Sequence, residues 1–312
     1  MAVKKSKAGT KGRAKSMITS EELANAKKYF ASNDLLLDPP IARAAYSDRT
    51  AWVMASMAQL VYERFEEGGK ARDLLIEKLK GGGFKLVGEF NSPKTDTQGF
   101  LVTNGEYAVL AFRGTEVTKT IDIRTDVKAF RASVFEGRVH KGFGAAYKSI
   151  EIQLLKALPK VEGLPLYITG HSLGAGIATI ATQYLERDLD LRDRIAACYT
   201  FGSPRVGDSE YDRDFKSSIF RVVNTTDLVT VIPLLVMGYI HIGDVRFLQP
   251  GIGDIRRGIP ILRRVYFFLM AAFRLFSPLV GDHGIEQYRR KLEAVAQDRN
   301  IDLYYNPSSP GR

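Results

Sequence analysis

Apolar positions along the chain fall first into helical spacing and later into short strand-like runs. Between Ala51 and Glu67, the residues Trp52, Met54, Met57, Leu60 and Val61 recur at mostly three- and four-residue intervals behind Ser47-Asp48, which predicts a helix. Before it, Thr19-Ser20-Glu21-Glu22 has the form of a capping box and predicts another helix start. Ala71 to Lys80 reads as a third helix, stopped by Gly81-Gly82-Gly83. The pattern then changes. Phe84 to Phe90 reads as a strand, and Gly99–Thr103 and Tyr107–Phe112 flank Asn104-Gly105, a strong hairpin signal.

Beyond the hairpin, strands and helices alternate. Leu166–Thr169 is a predicted strand and Leu173–Glu186 a helix; Ile195–Phe201, Ile219–Val223 and Tyr239–Phe247 are further strands, and Ile285–Ala296 is a closing helix. This alternation predicts an α/β architecture with a central sheet made mixed by the hairpin. No linker composition interrupts it. The expected organisation is a basic, disordered tail over residues 1–17 and one domain over residues 18–312.

The most informative short motif is Gly170-His171-Ser172-Leu173-Gly174, a G-x-S-x-G between a β-rich run and an Ala-rich helix former. A sharp strand-to-helix turn projects the serine hydroxyl and brings backbone close on either side, which Gly170 and Gly174 permit. Gly176 and Ala178 are expected to let the helix sit close against the sheet. The helix N-terminus offers free N–H groups to developing negative charge. Ser172 is therefore a candidate nucleophile, and the flanking pattern is that of an α/β-hydrolase fold.

A serine hydroxyl needs a general base, normally a histidine oriented by a carboxylate. Of the four histidines, His171 lies inside the turn, with its backbone committed to it, and His140 precedes the serine. His283, in Gly281-Asp282-His283-Gly284 before the last helix, best fits the chain order serine, acid, histidine, with His241 in reserve. Asp227, on the turn leaving the strand Phe220–Asn224, is the chosen acid, whereas Asp208, Asp212 and Asp214 read as solvated surface. The oxyanion donors are expected from the N–H of Leu173 and from Thr115, on the loop after Tyr107–Phe112. Arg113 reads as a structural ion-pair partner under that loop. Acyl transfer by such a set needs no metal or organic cofactor.

Together these motifs make the chain resemble the class 3 lipases, from about Ala51 to Tyr288. The resemblance rests on Phe112-Arg113-Gly114-Thr115, Asp122 and Asp126, Val139 to Phe143, Gly170 to Ala175, Phe201 to Gly207, Asn224 to Pro233, and Asp282-His283. It implies a serine carboxylic-ester hydrolase acting on lipid esters, with Ser172, Asp227 and His283 as triad, Thr115 and Leu173 as oxyanion hole, and a lid over Glu116 to roughly Asp126. Phospholipase A1 activity, short-chain esterase activity and a catalytically silent binding module are the alternatives. Ala175 stands where many members have a second glycine.

Composition and charge refine the expectation. The formal net charge is +10, but six cations precede the first acid, Glu21, leaving about +4 for the rest. Nucleic-acid binding would have only this tail's charge behind it. Cys198 is the only cysteine and lies in an apolar run, so a buried, inert thiol and no intrachain disulfide are expected. No apolar stretch follows the early charges before Met17, so the reading is a cytoplasmic protein, or one peripheral to a membrane, without a signal peptide. Ile261 to Ser277 is unusually apolar, broken by Arg263, Arg264 and Arg274. It reads as a membrane- or lipid-droplet-surface element, as a wall for an acyl chain, or as an ordinary buried helix.

Overall fold

The computed structural model describes residues 17–32, 36, 45–114, 131–224, 227–233, 235–249, 251, 254–258, 262, 263, 265, 266, 269 and 283–305. The basic tail over 1–16, Thr115 and the lid segment Glu116–Asp126 lie outside them, as does most of Ile261–Ser277.

Eight strands form one sheet in the order β1-β2-β3-β6-β7-β8-β9-β10. They are β1 (Lys85–Ser92), β2 (Thr97–Thr103), β3 (Ala108–Phe112), β6 (Leu166–His171), β7 (Ile195–Phe201), β8 (Ile219–Asn224), β9 (Asp244–Leu248) and β10 (Ile255–Arg257). β4 (Arg131–Val134) and β5 (Gly137–His140) form a separate antiparallel pair. The predicted hairpin makes β2 and β3 antiparallel, and its tip is held by the Asn104 side chain, which accepts from the N–H of Glu106 at 3.0 Å and of Tyr107 at 3.1 Å. From β3 through β6, β7 and β8 to β9 every pairing is parallel.

Parallel strands need both faces covered, and β6, β7 and β8 are buried along their whole length. One face packs with the helices Asp48–Leu60, Gly69–Gly81 and Ile285–Tyr305 around Trp52, Phe84, Tyr167 and Tyr199. The other packs with Lys141–Ala157 and Leu173–Leu185 around Phe112, Phe143, Tyr147 and Ile168. The closing helix is pinned where it crosses Asp48–Leu60: Arg289 donates to Ser56 Oγ at 3.0 Å and to the Tyr29 carbonyl at 2.6 Å.

The predicted capping box forms in both directions between Thr19 and Glu22. Several boundaries differ from expectation. The Ala51–Glu67 helix begins at Asp48, capped by Ser47, ends at Leu60, and is followed by a separate 3-10 turn, Phe65–Glu67. The strand expected from Tyr239 begins only at Asp244, because Ile240 bridges antiparallel to Gly207 and its N–H donates to the Gly207 carbonyl at 2.7 Å, drawing the chain off the sheet. The closing helix runs on to Tyr305. The helix Lys141–Ala157 and strands β4, β5 and β10 were not legible as elements.

Candidate active site

The site gathers at the carboxyl ends of β6, β7 and β8, where an open α/β sheet places its functional loops. Ser172 follows the last residue of β6 and caps the helix Leu173–Leu185, with φ 59° and ψ −127°. A serine in this left-handed region costs about 1–3 kcal/mol unless the surroundings enforce it. The surroundings do. A Cβ on Gly170 would lie 2.2 Å from the Gly174 carbonyl oxygen, and one on Gly174 would lie 2.3 Å from that of Phe112. The Ser172 N–H is also held, donating to the Phe201 carbonyl at 3.0 Å. Gly176 serves a different contact from the one expected. Its Cβ would meet the Phe143 ring at 2.9 Å, so it admits the neighbouring helix Lys141–Ala157 rather than the sheet.

Three residues distant in sequence meet here. His283 Nε2 lies 2.8 Å from Ser172 Oγ, and His283 Nδ1 lies 3.0 Å from each carboxylate oxygen of Asp227. A carboxylate can only accept, so the imidazole proton sits on Nδ1 and the Nε2 lone pair faces the serine hydroxyl. All three are buried. Asp227 itself sits in a turn tied from both sides: its side chain accepts from the Val229 N–H at 2.9 Å, and its own N–H donates to the Asn224 carbonyl at 2.9 Å. Tyr288, one turn into the closing helix, donates its hydroxyl to Asp227 Oδ2 at 2.5 Å. On the β7 loop, Gly202 has φ +56°, and a Cβ there would meet Asp227 Oδ2 at 2.6 Å and His283 Nδ1 at 3.1 Å.

Of the two expected oxyanion donors, Leu173 is the first residue of the helix after Ser172, where the N–H has no intrahelical acceptor. Thr115 lies outside the described residues. The strand leading to it is anchored: Arg113 makes a two-pronged ion pair with Glu66, at 3.0 and 2.6 Å, with both side chains largely covered.

The other candidates fall elsewhere. His140 caps the helix Lys141–Ala157, accepting from the Gly142 N–H at 3.2 Å. His241 is kept well below its ordinary pKa by burial and then by Arg221 and Arg205. Asp208 corrects the reading of solvated surface. It is buried, caps the short helix Ser209–Arg213 and accepts from both the backbone and the side chain of Arg138, because a helix start inside the fold needs its N–H groups satisfied. Cys198 is buried and its thiol is pushed up to about 12 by burial, as an inert core residue would be. No three metal-ligating side chains cluster among the described residues.

Sequence reasoning missed Tyr288, Gly202 and the side chain of His171. The His171 ring is wedged between Tyr62 and His283, its Nδ1 2.9 Å from the Tyr62 hydroxyl and its Nε2 2.6 Å from the His283 carbonyl oxygen. The sequence signal for Tyr288 is its closeness to His283, and His171 and Gly202 lie inside the motifs Gly170 to Ala175 and Phe201 to Gly207, which mark their positions but not these contacts.

A mixed sheet flanked by helices, with a strained serine at a strand-to-helix turn, defines an α/β-hydrolase fold. Solved structures carry the same fold. Lipase II from Rhizopus niveus superposes with a TM-score of 0.59 at 23% identity, covering 69% of this chain and 85% of that one. A mutant form of MDLA from Penicillium cyclopium superposes with a TM-score of 0.55 at 22% identity, covering 80% of this chain and 95% of that one. Within that fold, residues 109–237 match the model of the class 3 lipase family.

Among its relatives, secreted mono- and diacylglycerol lipase A of Penicillium cyclopium is 30% identical over 164 residues, 49% of this chain and 52% of the relative. A Rhizopus niveus lipase is 26% identical over 187 residues, 55% and 47%. Triacylglycerol lipase OBL1 of Nicotiana tabacum is 29% identical over 134 residues, 39% and 22%. The chain thus spans about half the length of the fungal relatives it matches. The first of these relatives also corrects the cytoplasmic expectation: it is named as a secreted lipase, which points outside the cell. That expectation rested on the charge and polarity of the residues before Met17, which impose no physical requirement for one compartment.

Proposed function

We propose that this protein is a serine carboxylic-ester hydrolase acting on lipid esters. The observation that carries the reading is the buried, continuous line from Ser172 Oγ through both ring nitrogens of His283 to Asp227, at 2.8 Å and 3.0 Å. In this reading His283 takes the proton from Ser172 as its oxygen attacks the ester carbonyl. The Leu173 N–H, with Thr115, receives the oxyanion, and the alcohol departs with the proton from His283. Water, deprotonated by the same imidazole, then releases the acid and restores the serine. Asp227 holds the tautomer throughout.

The substrate class rests on the relatives, which are named for monoacyl-, diacyl- and triacylglycerols. A fluorophosphonate probe should label Ser172, and a panel varying acyl length and headgroup should show turnover of acylglycerols. Absence of labelling in the folded, full chain would remove the hydrolase reading. Labelling with turnover of phospholipids or short soluble esters alone would remove the acylglycerol assignment.

The apolar segment before His283 supports contact with a lipid surface. Its described residues Leu262, Val265, Tyr266 and Leu269 are helical, recur at i, i+3, i+4 and i+7, and are 84%, 51%, 46% and 55% exposed. Such exposure argues against an ordinary buried helix, and apolar residues at this spacing form one face. No described helix is long and apolar enough to cross a membrane. Replacing Leu262 and Leu269 by Ser should weaken binding to acylglycerol emulsions while sparing turnover of a soluble short ester. Unchanged emulsion binding would remove this contact.

A further inference from the structure

The histidine beside the nucleophile has a job of its own, though its backbone is spent on the turn. His171 is buried, and its ring lies 4.5 Å from that of His283, centroid to centroid. Both of its nitrogens face a partner of fixed or selectable polarity. Nε2 lies 2.6 Å from the backbone carbonyl oxygen of His283, which can only accept, so Nε2 must carry the proton. Nδ1 is then a lone pair, and the Tyr62 hydroxyl, 2.9 Å away, donates to it. Burial, and then the neighbouring His283, hold the His171 imidazole down to about 3, so a proton on Nδ1 does not compete.

His283 needs such a tether. It lies in a turn ahead of the helix Ile285–Tyr305, outside any strand or helix that would fix its backbone. The His171 hydrogen bond ties that turn to the residue adjoining Ser172. The path from nucleophile to base is thereby reduced to one peptide link and one hydrogen bond. A displacement near 1 Å in such a site can cost on the order of 10²-fold in rate.

We infer that His171 is a positioning residue: its Nε2–H holds the His283 backbone, and the Tyr62 hydroxyl, donating to Nδ1, holds the ring in place for this bond, so that the His283 imidazole is kept in line with Ser172 and Asp227. The inference rests on the hydrolase reading above.

The test compares His171→Leu, His171→Gln and Tyr62→Phe in the full chain, using p-nitrophenyl butyrate turnover and the rate of fluorophosphonate labelling per folded site. Folding is followed separately by circular dichroism. His171→Leu should lower kcat and labelling rate about 10–100-fold with KM within about two-fold, since only the base is misplaced. His171→Gln, whose amide can donate near the Nε2 position, should recover most of the loss, and Tyr62→Phe should fall between. Wild-type kcat per site in His171→Leu, or no recovery in His171→Gln, would overturn the inference. If His171→Leu does not fold, wild-type kcat in Tyr62→Phe would overturn it. A wild-type chain that fails to label sinks the hydrolase reading instead, which keeps the two failures apart.

Discussion

The Tyr288 hydroxyl donates to Asp227 Oδ2 at 2.5 Å while accepting from the Asn224 N–H at 3.0 Å. One phenol thus joins the closing helix, the end of β8 and the carboxylate that orients His283. Asp227 is 1% exposed, and a buried carboxylate needs donors to replace water. It receives them from His283, Val229 and Tyr288. Tyr288→Phe keeps the packing and leaves both Asp227 Oδ2 and the Asn224 N–H short of a partner. We expect a stability loss of about 1–3 kcal/mol by urea unfolding and a fall in kcat of about ten-fold. A variant with wild-type stability and turnover would show the contact to be incidental.

Ser172 combines a reactive role with a backbone that an L residue avoids. Ser172→Ala and Ser172→Gly should both lose ester hydrolysis and fluorophosphonate labelling. They should differ in stability. Only glycine occupies φ 59° freely, so Ser172→Gly should unfold later than Ser172→Ala by about 1 kcal/mol. Equal midpoints would mean that the turn carries no strain.

Gly202 is required by space as well as by its positive φ. Gly202→Ala would place a methyl against the Asp227–His283 pair, where it can be relieved only by parting them. Turnover should fall at least ten-fold, and Ser172 labelling should slow in parallel. Full labelling in a folded Gly202→Ala chain would contradict the close approach.

Acid should destabilise the fold through its histidines. Burial lowers His140, His171 and His241, His171 to about 3. A folded-state pKa below the ordinary 6.5 means that, between those values, the unfolded chain binds protons the native chain refuses. Stability is therefore fully present above about pH 6.5 and is lost as pH falls toward 3, with His171 contributing up to about 1.4 kcal/mol per pH unit. Urea midpoints measured from pH 7.5 to 4 should decline, and less steeply in His171→Gln. Parallel profiles for the two chains would refute the assignment to His171.

Local rules made much of the fold legible in advance. A capping box, an Asn-Gly hairpin and a glycine-bounded strand-to-helix turn are each dictated by steric and hydrogen-bonding demands among residues within about six positions. For that reason Thr19, Asn104 and Ser172 stand where expected. The order of apolar strands and helices likewise implied a mixed α/β sheet. The same local signals were weak for Lys141–Ala157 and for β10, whose identity depends on the sheet faces and edges they meet.

From the chain alone came the neighbourhood of each reactive group: a hydroxyl on a turn, an imidazole on a late loop, a carboxylate leaving a strand. Which groups surround them was decided only by packing. Tyr288 reaches Asp227 across 61 residues, and His171 reaches the His283 carbonyl across 112. A hydrogen bond depends on tenths of an ångström, and over such separations those are set by how β6, β8 and the closing helix lie against one another, which no local spacing encodes.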